Sequence, residues 1–262
     1  MGHFRRVSIA VALVALSAPA ALGADIIEYQ PPEVVPQSYG GWYLRGDIGM
    51  SNQQLHGGLE NALFPTVDNL EFLDSGSFSS APTFRAGIGY QFNNWFRADV
   101  TAELRGKSDF AALDRYEGVD DGNPLTWDGS NDYSAKKKEW LFMANGYVDL
   151  GTYGGVTPYV GAGIGMSQNK IYSFRDVNVP NLGVAYAPTG TKWNMAWALH
   201  AGLGFDVTDR LTLDLGYSYV DLGDAQSGDI VTFNGTNNVN NPMIFKDIVS
   251  HDLKFGLRYR FN

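Results

Sequence analysis

The chain has no cysteine among its 262 residues, so a disulfide framework, a thiolate metal site and a lipid-modified cysteine anchor are all excluded. Basic residues are scarce: 19 Lys and Arg stand against 28 Asp and Glu, a net charge of −9. Phosphate backbones are bound by basic surfaces, so nucleic acid is excluded as a partner. Long hydrophobic runs are also missing. The nearest approach, residues 7–16, falls well short of the roughly 20 residues a membrane helix needs. The hydrophobic fraction is 44% and the mean hydropathy −0.18. A helical membrane protein is excluded, but a membrane β-barrel is not, because alternation halves the hydropathy of each spanning strand.

Arg5 and Arg6 precede the apolar run, and small residues from Ser17 to Ala24 follow it. This order predicts a secretory signal peptide over 1–23, cleaved after Gly23 or Ala24. Its two arginines leave with it, and the rest of the chain holds 17 basic and 28 acidic residues, a net of −11. Residues 24–40, with Pro31, Pro32 and Pro36, have no periodicity and read as an extended periplasmic leader. Residues 41–262 read as one domain.

From residue 41 the chain alternates apolar and polar side chains in eight segments: 41–50, 84–92, 96–105, 140–150, 159–166, 193–207, 211–219 and 253–262. A strand sends alternate side chains to opposite faces, so each segment reads as a strand with one apolar face. In the last, Leu253, Phe255, Leu257, Tyr259 and Phe261 share one face, while Lys254, Gly256, Arg258 and Arg260 share the other. The Asn93-Asn94 turn makes the second and third segments a hairpin.

The connections alternate in length. Those after the second, fourth and sixth segments are short, whereas residues 51–83, 107–138, 167–192 and 221–249 form long links rich in Gly, Asn, Asp and Ser. Short periplasmic turns and long extracellular loops produce this asymmetry in outer-membrane barrels, and it places both ends of the barrel domain on the short-turn side. The long links read as solvated loops.

Alternation alone leaves open which face points inward, since a soluble barrel of the lipocalin kind would enclose its apolar face. Aromatics near strand ends decide for the membrane: Trp42, Phe84, Phe92, Trp95, Trp140, Tyr159, Trp193, Tyr219, Tyr259 and Phe261 read as interfacial girdles. The polar face then fills the interior with seven basic residues (Arg45, Arg85, Arg97, Arg105, Lys254, Arg258, Arg260) and six acidic ones (Asp47, Asp99, Glu103, Asp149, Asp206, Asp214). Buried charges persist when paired, so a cross-barrel ion-pair network is expected, with Lys254, Arg258 and Arg260 reaching Asp214 and Asp47.

Three stretches, Thr-Pro-Tyr-Val-Gly-Ala-Gly-Ile-Gly at 157–165, Asp-Arg-Leu-Thr-Leu-Asp-Leu-Gly-Tyr-Ser-Tyr-Val-Asp-Leu-Gly at 209–223 and the terminal Leu-Lys-Phe-Gly-Leu-Arg-Tyr-Arg-Phe, resemble the small outer-membrane β-barrel proteins. These are the OmpA/OmpX-like group, especially the porin-family or opacity-type surface antigens of alphaproteobacteria. The resemblance implies an all-β, eight-stranded, up-and-down transmembrane barrel in the cell outer membrane. It implies Tyr259 and Phe261 as the signal read by the barrel-assembly machinery, although the chain departs from the family pattern by adding Asn262 after the aromatic.

Eight strands leave an interior just wide enough for side chains, so the expected function is that of a non-enzymatic surface and structural protein. The alternative is a narrow porin for small solutes. A lipopolysaccharide-modifying enzyme would need a nucleophile and base on one face. Past the signal peptide the only histidines are His56, His200 and His251. Ser250 and His251 are adjacent and point to opposite faces of a strand, and His200 belongs to the polar interior.

No cofactor or metal is expected: the acidic second link (Asp109, Asp114, Glu117, Asp120, Asp121, Asp128, Asp132) lacks the spacing of a calcium loop. Lys136, Lys137 and Lys138 could contact lipopolysaccharide phosphates. Loop aromatics such as Tyr116, Trp127, Tyr133, Phe174 and Tyr186 could meet host or extracellular ligands.

Overall fold

The structure, a computed structural model, describes residues 40–67, 69–117, 127–237 and 239–261. The predicted signal peptide, all of the leader except Gly40, and Asn262 lie outside the described residues. Each alternating segment forms a strand on its predicted phase: β1 (Gly41–Glu60), β3 (Ala81–Gln91), β4 (Phe96–Glu117), β5 (Asn131–Asp149), β6 (Val156–Asn178), β8 (Gly190–Asp206), β9 (Leu211–Asp229) and β11 (Pro242–Arg260). They pair antiparallel in the order β6-β5-β4-β3-β1-β11-β9-β8, and β8 pairs back onto β6. The ring of eight is closed. Closure leaves no unpaired edge, the condition a sheet must meet inside hydrocarbon.

The short turns are made by local side-chain bonds. The Asn93 carboxamide oxygen accepts from the amides of Trp95 and Phe96 at 3.0 and 2.7 Å, and Thr208 Oγ1 accepts from Arg210 and Leu211 at 3.2 and 3.0 Å. Asx and hydroxyl turns of this kind reverse the chain without tertiary help.

The long links are not loops for most of their length, contrary to the reading of their composition. β6 runs 23 residues, about 75 Å at the usual strand rise, where the apolar band of a barrel is only about 25 Å tall. Two further strands, β2 (Asn69–Phe78) and β7 (Gly183–Ala187), carry the lines of β3 and β8 onward along β4 and β6, and β10 (Val231–Thr232) pairs with β7. Bulges at Leu55/Gly58, Arg105/Ser108 and Ser134/Lys136 absorb the extra residues. Once the membrane part fixes the register, ladder hydrogen bonds extend it upward, and Asn or Asp in the sequence does not stop them.

The chemistry of the two faces exchanges with height. In the lower barrel the outward side chains are apolar, including Ile48 at 59%, Ile164 at 59% and Leu253 at 60% exposed. Above the aromatic belt the inward ones are apolar: Phe78, Phe110, Ile171, Phe174, Leu222 and Phe245 are buried in one cluster. Phe78, Phe110 and Phe245 meet at centroid distances of 5.0, 5.7 and 4.9 Å, and each such ring contributes roughly 1.5–3 kcal/mol on burial. The soluble-barrel and membrane-barrel orientations weighed from the sequence are both present, one above the other.

Trp42, Phe84, Trp95, Trp140 and Trp193 project outward as girdle residues. Tyr159 does not. It is 5% exposed, because it shares the inward phase of Gly161 and Gly163. Gly161 makes room for a ring: a Cβ there would sit 2.6 Å from Tyr147 Cδ1.

Candidate functional site

The inward side chains of the lower barrel form one connected set. Asp47 on β1 accepts two guanidinium forks, from Arg45 at 3.0 and 2.8 Å and from Arg85 at 2.9 and 3.0 Å. Arg45 also reaches Asp99 at 2.8 Å, and Asp99 accepts further bonds from Tyr43 at 3.1 Å and Asn145 at 2.8 Å. Higher up, Arg105 lies 2.8 Å from Glu103, 3.3 Å from Glu139 and 2.5 Å from Asp252. Lys254 closes this group, 2.7 Å from Glu103 and 3.1 Å from Asp252. Forked guanidinium–carboxylate bonds are the strong kind, and removing one partner leaves the other charge buried and uncompensated.

Two satellites lie toward the periplasmic end. Arg97 pairs with Asp149 at 3.1 Å, and its guanidinium carbon lies 4.2 and 4.7 Å from the ring centroids of Tyr147 and Tyr159. Cation–π attraction offsets its missing donors' partners there. Arg258 forks onto Asp214 at 3.1 Å.

Three placements differ from the expected network. Lys254 pairs with Glu103 and Asp252 rather than with Asp47 or Asp214. Asp206 is exposed at the β8 end, accepting from Thr212 at 2.9 Å. Arg260 is half-buried and is in no ion pair formed among the described residues. Both lie where the strands meet the short turns, at the rim rather than inside.

Sequence reasoning also missed members. Lys137, Glu139 and Asp252 are 0–2% exposed and lie one or two inward positions beyond the predicted strand starts, so extending the same phase upstream would have found them. Lys137 bonds Glu139 and, at 2.8 Å, Gln53, and its Nζ lies 5.4 Å from the Phe78 ring centroid. It joins the ionic storey to the aromatic one. The void among Arg45, Asp47, Tyr147, His200, Asp214 and Lys254 is about 10 Å³, at the limit for a single water.

The three histidines occupy separate places, each with its own polar contact. His200 lies between Ser218 Oγ at 2.8 Å and Asn145 Oδ1 at 3.1 Å. Ser250 is buried inside against Ser51 and Asp252, while His251 is on the outer face, 2.6 Å from the Tyr217 hydroxyl. His56 is exposed near Gln54.

At the extracellular mouth a cavity of about 620 Å³ is lined by Asn61, Phe64, Asp114, Tyr133, Asp176 and Met243, among others. Asp114 belongs to the acidic stretch read as a loop, yet it is buried on β4 and accepts from Tyr133 at 2.7 Å and the Asn131 amide at 2.8 Å. Asp176 Oδ1 is buried and makes no hydrogen bond among the described residues. Burial, and then the negative charge of Asp114, push the Asp176 carboxyl up to about 7. Asp120 and Asp121 lie outside the described residues, and among the described residues no group of three or more His, Cys, Asp or Glu converges as a metal site would. Tyr133 and Phe174 pack inside at 6.2 Å, and Arg115 covers Trp127 at 4.1 Å.

A closed antiparallel barrel with an aromatic-rimmed apolar outside and paired charges inside is an integral outer-membrane protein. Residues 8–261 match the family model of the outer membrane protein beta-barrel domain, and the chain belongs to that family. It is 33% identical to an uncharacterized protein of Brucella suis over 98% of this chain and 99% of that one. It is 30% identical to the outer membrane protein PagN of Salmonella typhimurium over 52% of this chain and 55% of that one. The crystal structure of Neisserial surface protein A aligns with a TM-score of 0.43 at 18% identity, covering 84% and 97% of the two chains.

Proposed function

We propose that this chain is a non-enzymatic, solute-tight surface protein of the outer membrane, which stiffens the bilayer and presents its extracellular storey to the outside. The observation that supports this is the filled interior: Arg45, Arg85, Arg105 and Lys254 are neutralised by carboxylates on β1, β4 and β11, and the Phe78–Phe110–Phe245 cluster lies above them. The mouth cavity and the exposed strand ends are the surface on which a host or extracellular ligand would be met. Tyr259 and Phe261, in ring contact at 6.0 Å at the end of β11, are the aromatic pair offered to the assembly machinery.

Liposome swelling tests the reading. Vesicles carrying the folded protein should swell in isotonic pentose no faster than protein-free vesicles. Swelling that scales with protein content would instead support the narrow-porin reading.

A further inference from the structure

Lys136, Lys137 and Lys138 do not act as a block. Lys137 points inward and is fully buried, whereas Lys136 and Lys138 share the outward face of β5 with Trp140. On the neighbouring strand, Lys170 of β6 is the direct cross-strand partner of Lys138, and both are exposed. On the other side, Lys107 of β4 is exposed beside the same rung, 2.8 Å from Asp109, and Asp109 is the cross-strand partner of Lys136.

Four lysines and one aspartate therefore share one outer patch of a chain whose net charge is −9. Like charges directly opposite each other across a ladder repel. Lys136, Lys138 and Lys170 are in no ion pair formed among the described residues; Lys138 has only the Tyr172 ring, 5.9 Å from its Nζ. A facing lysine pair kept without a carboxylate calls for an anion from outside the chain.

Depth identifies that anion. Trp140 lies two residues below Lys138 on the same face, roughly 7 Å along the strand. It continues through Phe142 into Trp193 as a stacked aromatic band at 6.0 and 6.2 Å. Aromatic belts mark the boundary between hydrocarbon and headgroups, so the lysines stand at headgroup level. The long strand ends place them in the outer leaflet.

We propose that Lys138 and Lys170, flanked by Lys107 and Lys136, form a binding site for the phosphate of a phosphorylated glycolipid headgroup in the outer leaflet. Ammonium groups act as compact point charges toward phosphate, and basic clusters at this depth recognise lipid headgroups. The site rests on the outer-membrane location and not on whether the barrel is sealed. It would tether the β4-β5-β6 side of the barrel to the lipid.

Native mass spectrometry of the folded full-length chain, titrated in detergent with diphosphoryl lipid A, tests this. Wild type should retain bound lipid A, and Lys138→Gln/Lys170→Gln should weaken retention about tenfold or more, two headgroup contacts being lost. Lys138→Arg/Lys170→Arg should restore it. Enzymatically dephosphorylated lipid A should bind no better to wild type than to the glutamine variant, and inorganic phosphate at matching concentration should not displace the lipid.

Equal retention by wild type and the glutamine variant, or equal binding of the dephosphorylated lipid, overturns the proposal. Displacement by inorganic phosphate overturns the lipid assignment. Heat-modifiable gel migration of every variant, read in parallel, reports whether the barrel itself has formed.

Discussion

The guanidinium of Arg105 on β4 spans the barrel interior to the carboxylate of Asp252 on β11, with Nη2 2.5 Å from Oδ2 and Nη1 3.2 Å from Oδ1. Strands β3 and β1 separate the two around the ring, so the fork crosses the lumen instead of following a ladder. Both side chains are 0% exposed.

Breaking that fork should be costly. Asp252→Asn should lower the urea stability of the folded barrel by about 3–5 kcal/mol, the usual result of removing one partner of a buried pair. Arg105→Ala should cost at least as much, because Glu103 and Glu139 also lose a cation each, Lys254 remaining beside the first and Lys137 beside the second. The double variant should fall well short of the sum of the singles, since the two side chains interact directly. Densitometry of the compact band across a urea series measures all three.

At the seam between β11 and β9, two arginines that look alike in sequence differ in their partners. Arg258→Ala exposes Asp214 to an unpaired state and should destabilise by about 1–3 kcal/mol. Arg260→Ala should stay within about 0.5 kcal/mol of wild type, as a rim substitution. The same unfolding series distinguishes them, and equal effects would count against the assigned pairing.

Phe245 is 0% exposed and contacts both Phe78 and Phe110. Phe245→Ala should cost about 3–5 kcal/mol locally. The extracellular storey has its own apolar core, so the loss should appear as faster protease cleavage and amide exchange above the aromatic belt. The compact band from the membrane part should survive.

Asp176 supplies the pH dependence. Its folded-state pKa is raised from 3.8 to about 7, so the folded barrel keeps a proton that the unfolded chain releases. The resulting stabilisation is complete below about pH 4 and is lost as pH rises through about 7. Cleavage of the extracellular storey should therefore quicken about tenfold or more between pH 5 and pH 8, and Asp176→Asn should flatten that profile.

Much of the membrane barrel was legible because hydrocarbon imposes a strict period of two. Leu253 to Phe261 read outward and inward as they stand, and the phase of Asp47, Arg85, Asp99 and Glu103 put each where it pairs. What could not be read was the height at which the pattern exchanges its chemistry. Phe110 and Phe245 face inward like Arg105 and Asp252, but on the opposite parity, because bulges at Arg105/Ser108 and Phe245/Ile248 shift the running alternation between them. Asn131, Asp132 and Asp176 looked like loop residues because propensity is local, while their strands are extensions of a ladder set tens of residues away. The partner of Arg105 was missed for a different reason. Asp252 lies just outside the last alternating run, and a contact across a lumen leaves no mark in spacing.

Single-channel recording in planar bilayers tests the sealed interior most directly. The folded wild type should add no steps above the lipid baseline, and Arg105→Ala, which removes the side chain spanning the lumen, should add small reproducible ones. Wild-type steps of the same size as the variant's would contradict a barrel closed by its charge network.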